Sequence, residues 1–249
     1  MRKAVVMLNR NNIFVSLFLI ICILISSHIQ AEKKKYRWIK ISGKWEIRRD
    51  FKESFLIETK AKTRMWGNSE LINHNSIIST KPVKDYTSIR LSIEILNPIS
   101  SPVEDMIFFS AKNLKEFYAF KFSGDENRIN RITFINSKIK DTRKRRTEKW
   151  NFIITELVSK NHTIKYNTVY RIEIRLQEED VSLLINEDYI ITTYAPDILN
   201  EGKIGFSNRN AMLRISDVKV LKGEEIIFKD DFSQDAIRRY KATVKRTKK

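Results

Sequence analysis

The 249-residue chain is poor in the residues that carry metal and thiol chemistry, with one Cys and three His, and it has only four Pro and six Gly. Cys22 and His28 both lie in an N-terminal segment that we expect to be removed. A chain without Cys forms neither a disulfide nor a Cys-ligated zinc site. The hydrophobic fraction of 42% and the charged fraction of 31% indicate a folded globular protein rather than a disordered one.

The N-terminus has the order of a secretory signal peptide. Residues 1–12 carry three basic residues and no acid, and Ile13–Ile25 is apolar except for Ser16. A polar stretch ending at Ala31 follows, which predicts cleavage after Ala31. The apolar run of 13 residues is short for a bilayer span, which needs about 20. The sequence therefore predicts export to the periplasm, the cell envelope or the extracellular space.

Two other interpretations of this segment remain open. The leader could be retained as an anchor. Alternatively, Leu19–Cys22 resembles a bacterial lipobox, which would make Cys22 a lipid anchor, although Ile21 stands where that motif has a small residue.

The positive charge is concentrated in two segments. The chain has 47 basic and 30 acidic residues, and without residues 1–31 its formal charge is +14. Lys138–Lys149 contributes +5 and the tail 236–249 contributes +7. Such clusters favour polyanions, because neutralised charges release counterions and make binding salt-sensitive. For an exported protein we expect acidic glycans, a cell-wall polymer or a membrane surface rather than nucleic acid; a solvated loop and terminus is the alternative.

Hydrophobic residues alternate with polar ones through most of the chain. The pattern is clearest in Ile89–Ile95, Tyr118–Phe122, Tyr170–Leu176 and Val181–Ile185. A period of two indicates strands with one buried face, as in antiparallel sheets. We therefore predict an all-β fold, a two-sheet antiparallel β-sandwich of the jelly-roll type, with a short helix over Asp235–Lys245 or an irregular tail.

No linker rich in Pro, Gly or Ser divides the body of the chain. The predicted organisation is a signal peptide over residues 1–31, a single sandwich domain over 32–235 and a basic tail over 236–249.

Several segments occur in an order that resembles the concanavalin A-like lectin/glucanase superfamily, which includes laminin G-like jelly rolls. The segments that carry the resemblance are Gly43–Ile47, Thr168–Leu176, Val181–Asn186, Gly202–Phe206, Leu213–Val220 and Glu224–Ser233. The last one opens many of these domains, whereas here it closes the predicted domain. The resemblance implies a lectin, a glycan-binding module or a glycoside hydrolase, and the fold does not decide between them.

The carboxylates do not form the pattern of a known hydrolase of this superfamily. Laminarinase-like members carry an E-x-D-x-x-E strand, and retaining chemistry needs carboxyl groups about 5–5.5 Å apart. Here Glu104 and Asp105 are adjacent and point to opposite faces, and Glu94 and Glu173 are expected as solvated positions on their strands. His162 lies in a polar, turn-like context. We therefore expect no catalysis, with a non-standard carboxylate pair as the enzymatic alternative.

An aromatic platform with nearby polar donors is the remaining type of site. Trp66, beside Arg64, is the first candidate, and Trp150 follows the basic loop, whereas Trp45 is expected in the core. The predicted ligand-binding residues are Trp66, Arg64, Trp150, Arg143, Lys144, Arg145 and Arg146.

The sequence thus predicts an exported, non-catalytic module that binds a glycan or an anionic envelope component. A sugar-active enzyme and a structural envelope protein that docks another protein are the alternatives. No cofactor is predicted. The resemblance allows calcium near Asp217 or near Asp230 and Asp231, for which a purely structural role is the competing interpretation.

Overall fold

The computed structural model describes residues 37–50, 53–59, 75–96, 98–139, 152–232 and 237–239. All regular structure in these ranges is β. The first eight strands are β1 (Trp38–Lys40), β2 (Trp45–Arg49), β3 (Ser54–Glu58), β4 (Asn75–Ser79), β5 (Ser88–Leu96), β6 (Val103–Ala111), β7 (Phe117–Gly124) and β8 (Arg128–Ile139). The others are β9 (Phe152–Lys165), β10 (Val169–Gln177), β11 (Asp180–Ile185), β12 (Asp188–Tyr194), β13 (Lys203–Arg209), β14 (Met212–Lys222), β15 (Glu225–Asp230) and β16 (Ile237–Arg239).

The strands form two sheets of eight. Sheet A has the order β16-β1-β4-β13-β6-β7-β8-β9, and sheet B has the order β12-β11-β10-β5-β14-β3-β2, with β15 also pairing with β14. Every pairing is antiparallel except that of β1 with β16. The predicted all-β, two-sheet sandwich is confirmed. No helix in the described part of the chain has the length or apolarity to cross a membrane.

The core lies between the sheets and is built from alternate residues of each strand. In sheet A, Phe109, Phe120 and Phe134 point inward from neighbouring strands, and the rings of Phe120 and Phe134 lie 4.9 Å apart. In sheet B, Ile172 and Ile174 of β10 are buried in the same cluster. Since burying one large apolar side chain contributes about 1.5–3 kcal/mol, this alternation dictates which face of each strand meets solvent.

Asp230 and Phe232, at the end of β15 and just after it, are fixed to β1. The indole Nε1 of Trp38 donates a hydrogen bond to Asp230 Oδ2 at 2.7 Å, and the backbone N–H of Phe232 donates to Asp230 Oδ1 at 2.9 Å. The ring of Phe232 packs 6.0 Å from the ring of Trp38. Of the predicted helix over Asp235–Lys245, the described residues Ile237–Arg239 form a strand instead, because they pair with β1.

Candidate functional site

A polar groove of about 580 Å³ crosses the outer face of sheet B. Its walls and floor come from β10, β5 and β14 together with the turn between β11 and β12. We call it the sheet B groove. The polar residues that line it are Arg90, Ser92, Arg171, Glu173, Arg175, Glu187, Asp217 and Lys219.

Strand geometry brings these side chains to one surface. Successive side chains of a strand point to opposite faces, so Arg171, Glu173 and Arg175 face outward while Ile172 and Ile174 face the core. The register places Glu173 opposite Arg90 of β5. The charged residues therefore form a row across the sheet, although they come from distant parts of the sequence.

Glu173 is held between two arginines at the centre of the groove. The Nε of Arg90 donates a hydrogen bond to Glu173 Oε1 at 3.0 Å. The guanidinium of Arg175 approaches both carboxylate oxygens, with its Nε 2.9 Å from Oε1 and its Nη2 3.0 Å from Oε2. Such bidentate pairing fixes the planes of both groups and is stronger than a single neutral hydrogen bond.

The row of charges ends at an exposed aromatic side chain. Arg175 Nη1 donates a hydrogen bond to the hydroxyl of Tyr189 at 2.6 Å, and the guanidinium carbon lies 5.5 Å from the centre of the Tyr189 ring. Tyr189 is 57% exposed, so most of its ring meets solvent. A solvent-facing aromatic side chain therefore lies next to the groove, in contact with Arg175, which lines it.

The surroundings of Glu173 keep it ionised. Burial opposes ionisation, but the hydrogen bonds and charges of Arg175 and Arg90 outweigh burial and lower the pKa of Glu173 below its ordinary value. The side chain is only 14% exposed. The prediction of an isolated, solvated Glu173 is thus wrong, because Arg175 on its own strand and Arg90 on the neighbouring strand both pair with it. Glu94 is also paired, with Arg214 at 3.5 Å.

Arg171 differs from the other arginines of the groove. Its side chain is exposed, and within the described ranges no carboxylate pairs with its guanidinium. Its backbone N–H donates to Asn186 Oδ1 at 2.9 Å, which fixes the backbone at this position. Arg171 therefore presents donors to whatever enters the groove.

The two places predicted for calcium have protein contacts. Asp217 lies at an irregularity of β14, with a positive φ of 50°, and its carboxylate pairs with Lys219 at 2.7 Å. Both oxygens of Asp230 accept hydrogen bonds, from Trp38 and from Phe232. These contacts support the structural interpretation of both residues.

Two further clefts have different chemistry. One of about 300 Å³ is lined by Tyr118, Asn136 and the exposed pair of Lys138 with Asp197. The other, about 670 Å³ and open, includes Arg128, Arg131 and His162. His162 lies within β9 and not in the predicted turn, since neighbouring Asn161 pairs with Arg131 of β8. Burial, followed by the charge of Lys160, lowers the pKa of His162.

The predicted ligand-binding residues lie outside the described part of the chain. This applies to Trp66, Arg64, Trp150, Arg143, Lys144, Arg145 and Arg146, and also to Cys22 and the cleavage position Ala31. Trp45 is 4% exposed and belongs to the core, as expected. Sequence reasoning missed the sheet B groove; its only local signal is the Arg-x-Glu-x-Arg pattern of β10.

Comparisons with known proteins give similarity in structure only. No protein-family model matches the chain, and no curated protein matches it in sequence. It is similar in structure to the carbohydrate-binding module CBM66 from Bacillus subtilis, with a TM-score of 0.51 and 13% identity over 74% of this chain and 94% of the module. The chain has a concanavalin A-like jelly-roll fold.

Other structures are similar at lower scores. The Bacteroides ovatus mixed linkage glucan PUL GH16, in complex with G4G4G3G product, has a TM-score of 0.48 and 12% identity over 76% of this chain and 96% of its own. A protein with a galectin-like fold from Bacillus subtilis has a TM-score of 0.43 and 17% identity over 74% and 89%. Ligands and activities therefore have to be argued from the site and not from these structures.

Proposed function

We propose that this protein is an exported, non-catalytic jelly-roll module that binds a glycan in the sheet B groove. The observation that carries the proposal is the fixed row of Arg90, Glu173, Arg175 and Tyr189. Sugars offer hydroxyl groups that both donate and accept hydrogen bonds, and their C–H faces stack on aromatic rings. The groove has a carboxylate acceptor and guanidinium donors, and the exposed Tyr189 lies beside it in contact with Arg175.

Pre-organisation supports a binding role for this row. The arginines are held by the carboxylate, and Arg175 is also held by the tyrosine hydroxyl, so little side-chain freedom is lost when a ligand arrives. Arg171 adds an exposed guanidinium at one side of the groove. The similarity to a carbohydrate-binding module adds support from the fold, without identifying the sugar.

The electrostatics favour binding over acid catalysis. A glycosidase needs one carboxyl group whose raised pKa keeps it protonated for the leaving group. In the groove, the pKa of Glu173 is lowered and Asp217 pairs with Lys219. The enzymatic alternative predicts sugar release from polysaccharides, and a reducing-end assay at several pH values tests it.

The predicted basic segments extend the proposal to anionic ligands. Lys138–Lys149 and the tail 236–249 would add salt-sensitive attraction for an acidic glycan or an envelope polymer. Neutralising Arg143, Lys144, Arg145 and Arg146 together is expected to weaken retention on anionic polysaccharide at low salt. Unchanged retention would mean that these basic residues do not contribute to binding. That result would not bear on the proposed binding in the sheet B groove.

A polysaccharide panel with groove variants tests the main proposal. Arg175→Ala removes the bidentate pairing with Glu173 and the contact with Tyr189, while Arg90 remains paired with Glu173. We expect at least about a tenfold loss of affinity, the size of one charge-assisted hydrogen bond. Arg48→Ala is the matched control, because Arg48 lies on edge strand β2 and pairs with Glu46 at 3.1 Å, outside the groove. Equal affinities of the two variants would place the binding surface elsewhere.

A further inference from the structure

The interior of the sandwich contains an acidic side chain that has no hydrogen-bond partner in the part of the chain that the structure describes. Asp105 of β6 points inward on the same face as Ile107 and Phe109 and is 1% exposed. Neither of its carboxylate oxygens has a hydrogen-bond partner among the described residues. A buried ionised carboxylate without a partner carries a large desolvation penalty, so its retention needs a physical reason.

A second unpartnered oxygen lies on the neighbouring strand. Asn208 of β13 pairs directly with Asp105 across the antiparallel ladder and is completely buried. Its Nδ2 donates to the carbonyl of Ala211 at 2.5 Å, which settles the orientation of the amide, whereas its Oδ1 has no partner among the described residues. Two adjacent inward positions thus hold three acceptor atoms and no donor for any of them.

The opposite sheet contributes another carboxylate. Glu58 of β3 is completely buried, and its Oε1 accepts the backbone N–H of Lys44 at 3.1 Å. Its charge acts on Asp105: burial raises the pKa of Asp105 well above the ordinary value, and the charges of Glu104 and Glu58 raise it further. Ile57, next to Glu58, pairs with Arg214 near the start of β14, and Asn208 lies near the end of β13. The short turn between β13 and β14 therefore places the two carboxylates and the amide oxygen at the same end of the core.

We propose that Asp105, Asn208 and Glu58 form a binding site for a hard divalent cation, calcium above all, inside the end of the sandwich. Calcium takes carboxylate and amide oxygens in variable geometry, and water completes its coordination. A divalent ion balances the two carboxylate charges and satisfies all three unpartnered acceptors. A proton on Asp105 that is donated to Asn208 Oδ1 would pair two of these atoms and leave the other carboxylate oxygen without a partner. No cluster of three or more His, Cys, Asp or Glu occurs among the described residues, so the amide oxygen is needed as the third protein ligand.

Terbium luminescence and thermal unfolding of the full chain test this site. Tb³⁺ is a calcium analogue whose emission is sensitised by a nearby indole, and Trp45 of β2 pairs directly with Glu58. We expect sensitised emission that Ca²⁺ competes away. With Ca²⁺ at about 100 times its dissociation constant, the Tm is expected to rise by about 5–10 °C relative to EDTA.

Two matched variants separate this site from surface binding of the ion. Asp105→Asn keeps the shape but removes one ligand charge, so we expect loss of both the emission and the Ca²⁺-dependent rise in Tm. Asp197→Asn, at an exposed carboxylate paired with Lys138 at 3.3 Å, is expected to retain both. Equal Tm values in Ca²⁺ and EDTA for the unmodified chain, or emission that survives Asp105→Asn, would overturn the proposal. The Tm comparison on the unmodified chain does not depend on whether a variant folds.

Discussion

The outer faces of the two sheets differ in their chemistry. On sheet A, Met106, Phe108 and Ala119 point away from the core between the sheets, yet each is 0% exposed. They form a second apolar cluster, the outer cluster, against which Ile39 and Ile154 also pack. On sheet B, the corresponding central positions carry Arg90 and other charged residues around an open groove.

This contrast separates an apolar, buried face from the face that we propose binds the ligand. Buried apolar side chains stabilise the fold through area removed from water and present nothing to a polar ligand. In the sheet B groove, ion pairs stand in place of apolar contacts. They contribute less to stability but fix donors and acceptors in place. Substitutions on the two faces should therefore separate loss of stability from loss of binding.

The largest expected effect comes from the outer cluster. Phe108→Ala removes a fully buried ring that lies 5.8 Å from the ring of Phe117. We expect the free energy of unfolding to fall by about 3–5 kcal/mol, because a large cavity forms. Urea denaturation measures this. Tyr194→Ala, at a side chain 64% exposed, is the control and should change it by less than about 0.5 kcal/mol. A loss below about 1 kcal/mol for Phe108→Ala would contradict a structural role for this face.

An intermediate effect is expected at the centre of the groove. Glu173→Gln leaves Arg90 and Arg175 without their shared carboxylate, and we expect a loss of about 1–2 kcal/mol in unfolding free energy at neutral pH. The lowered pKa of Glu173 means that its ion pairs stabilise the folded protein above the ordinary pKa of 4.5. That contribution disappears as the pH falls through the lowered folded value.

Urea denaturation of both proteins at neutral and acidic pH checks the sign of this linkage. The difference in unfolding free energy between the unmodified chain and Glu173→Gln should become smaller as the pH falls below 4.5. A gap that stays constant or widens would mean that Glu173 is not an ionised partner in the folded state.

The smallest effect is expected for an exposed pair. Lys138 and Asp197 lie 3.3 Å apart, with side chains 59% and 77% exposed. Asp197→Asn should change the unfolding free energy by less than about 0.5 kcal/mol, since solvent screens the pair. A change as large as that of Glu173→Gln would remove the distinction between the groove and ordinary surface charges. Urea denaturation in low and high salt provides the measurement.

Local alternation predicted the strands and their buried faces well. Ile89–Ile95 and Tyr170–Leu176 fall within β5 and β10, because a strand with one buried face records that face in its own residues. The same logic failed for His162 and for Ile237–Arg239. Their strand conformation depends on pairing with β8 and β1, and such tertiary pairing overrides a local preference for turn or helix.

The candidate sites depended on contacts that the sequence does not display. Arg90 and Glu173 are 83 positions apart and meet only because β5 and β10 are neighbours in sheet B. The inward position of Asp105 could be read from the sequence, because it alternates with Ile107 and Phe109 along the same strand. Its unpartnered oxygens and its proximity to Glu58 depend on two strands from different sheets.

Side-chain NMR of the arginines shows directly whether a glycan binds in the sheet B groove. The Nε–Hε signals of Arg90 and Arg175 report on the groove, and that of Arg48 reports on the edge of the same sheet. When an oligosaccharide that binds in the polysaccharide panel is titrated in, we expect the signals of Arg90 and Arg175 to shift saturably while that of Arg48 stays in place. Saturable binding with all three signals unchanged would contradict the sheet B groove as the ligand-binding surface.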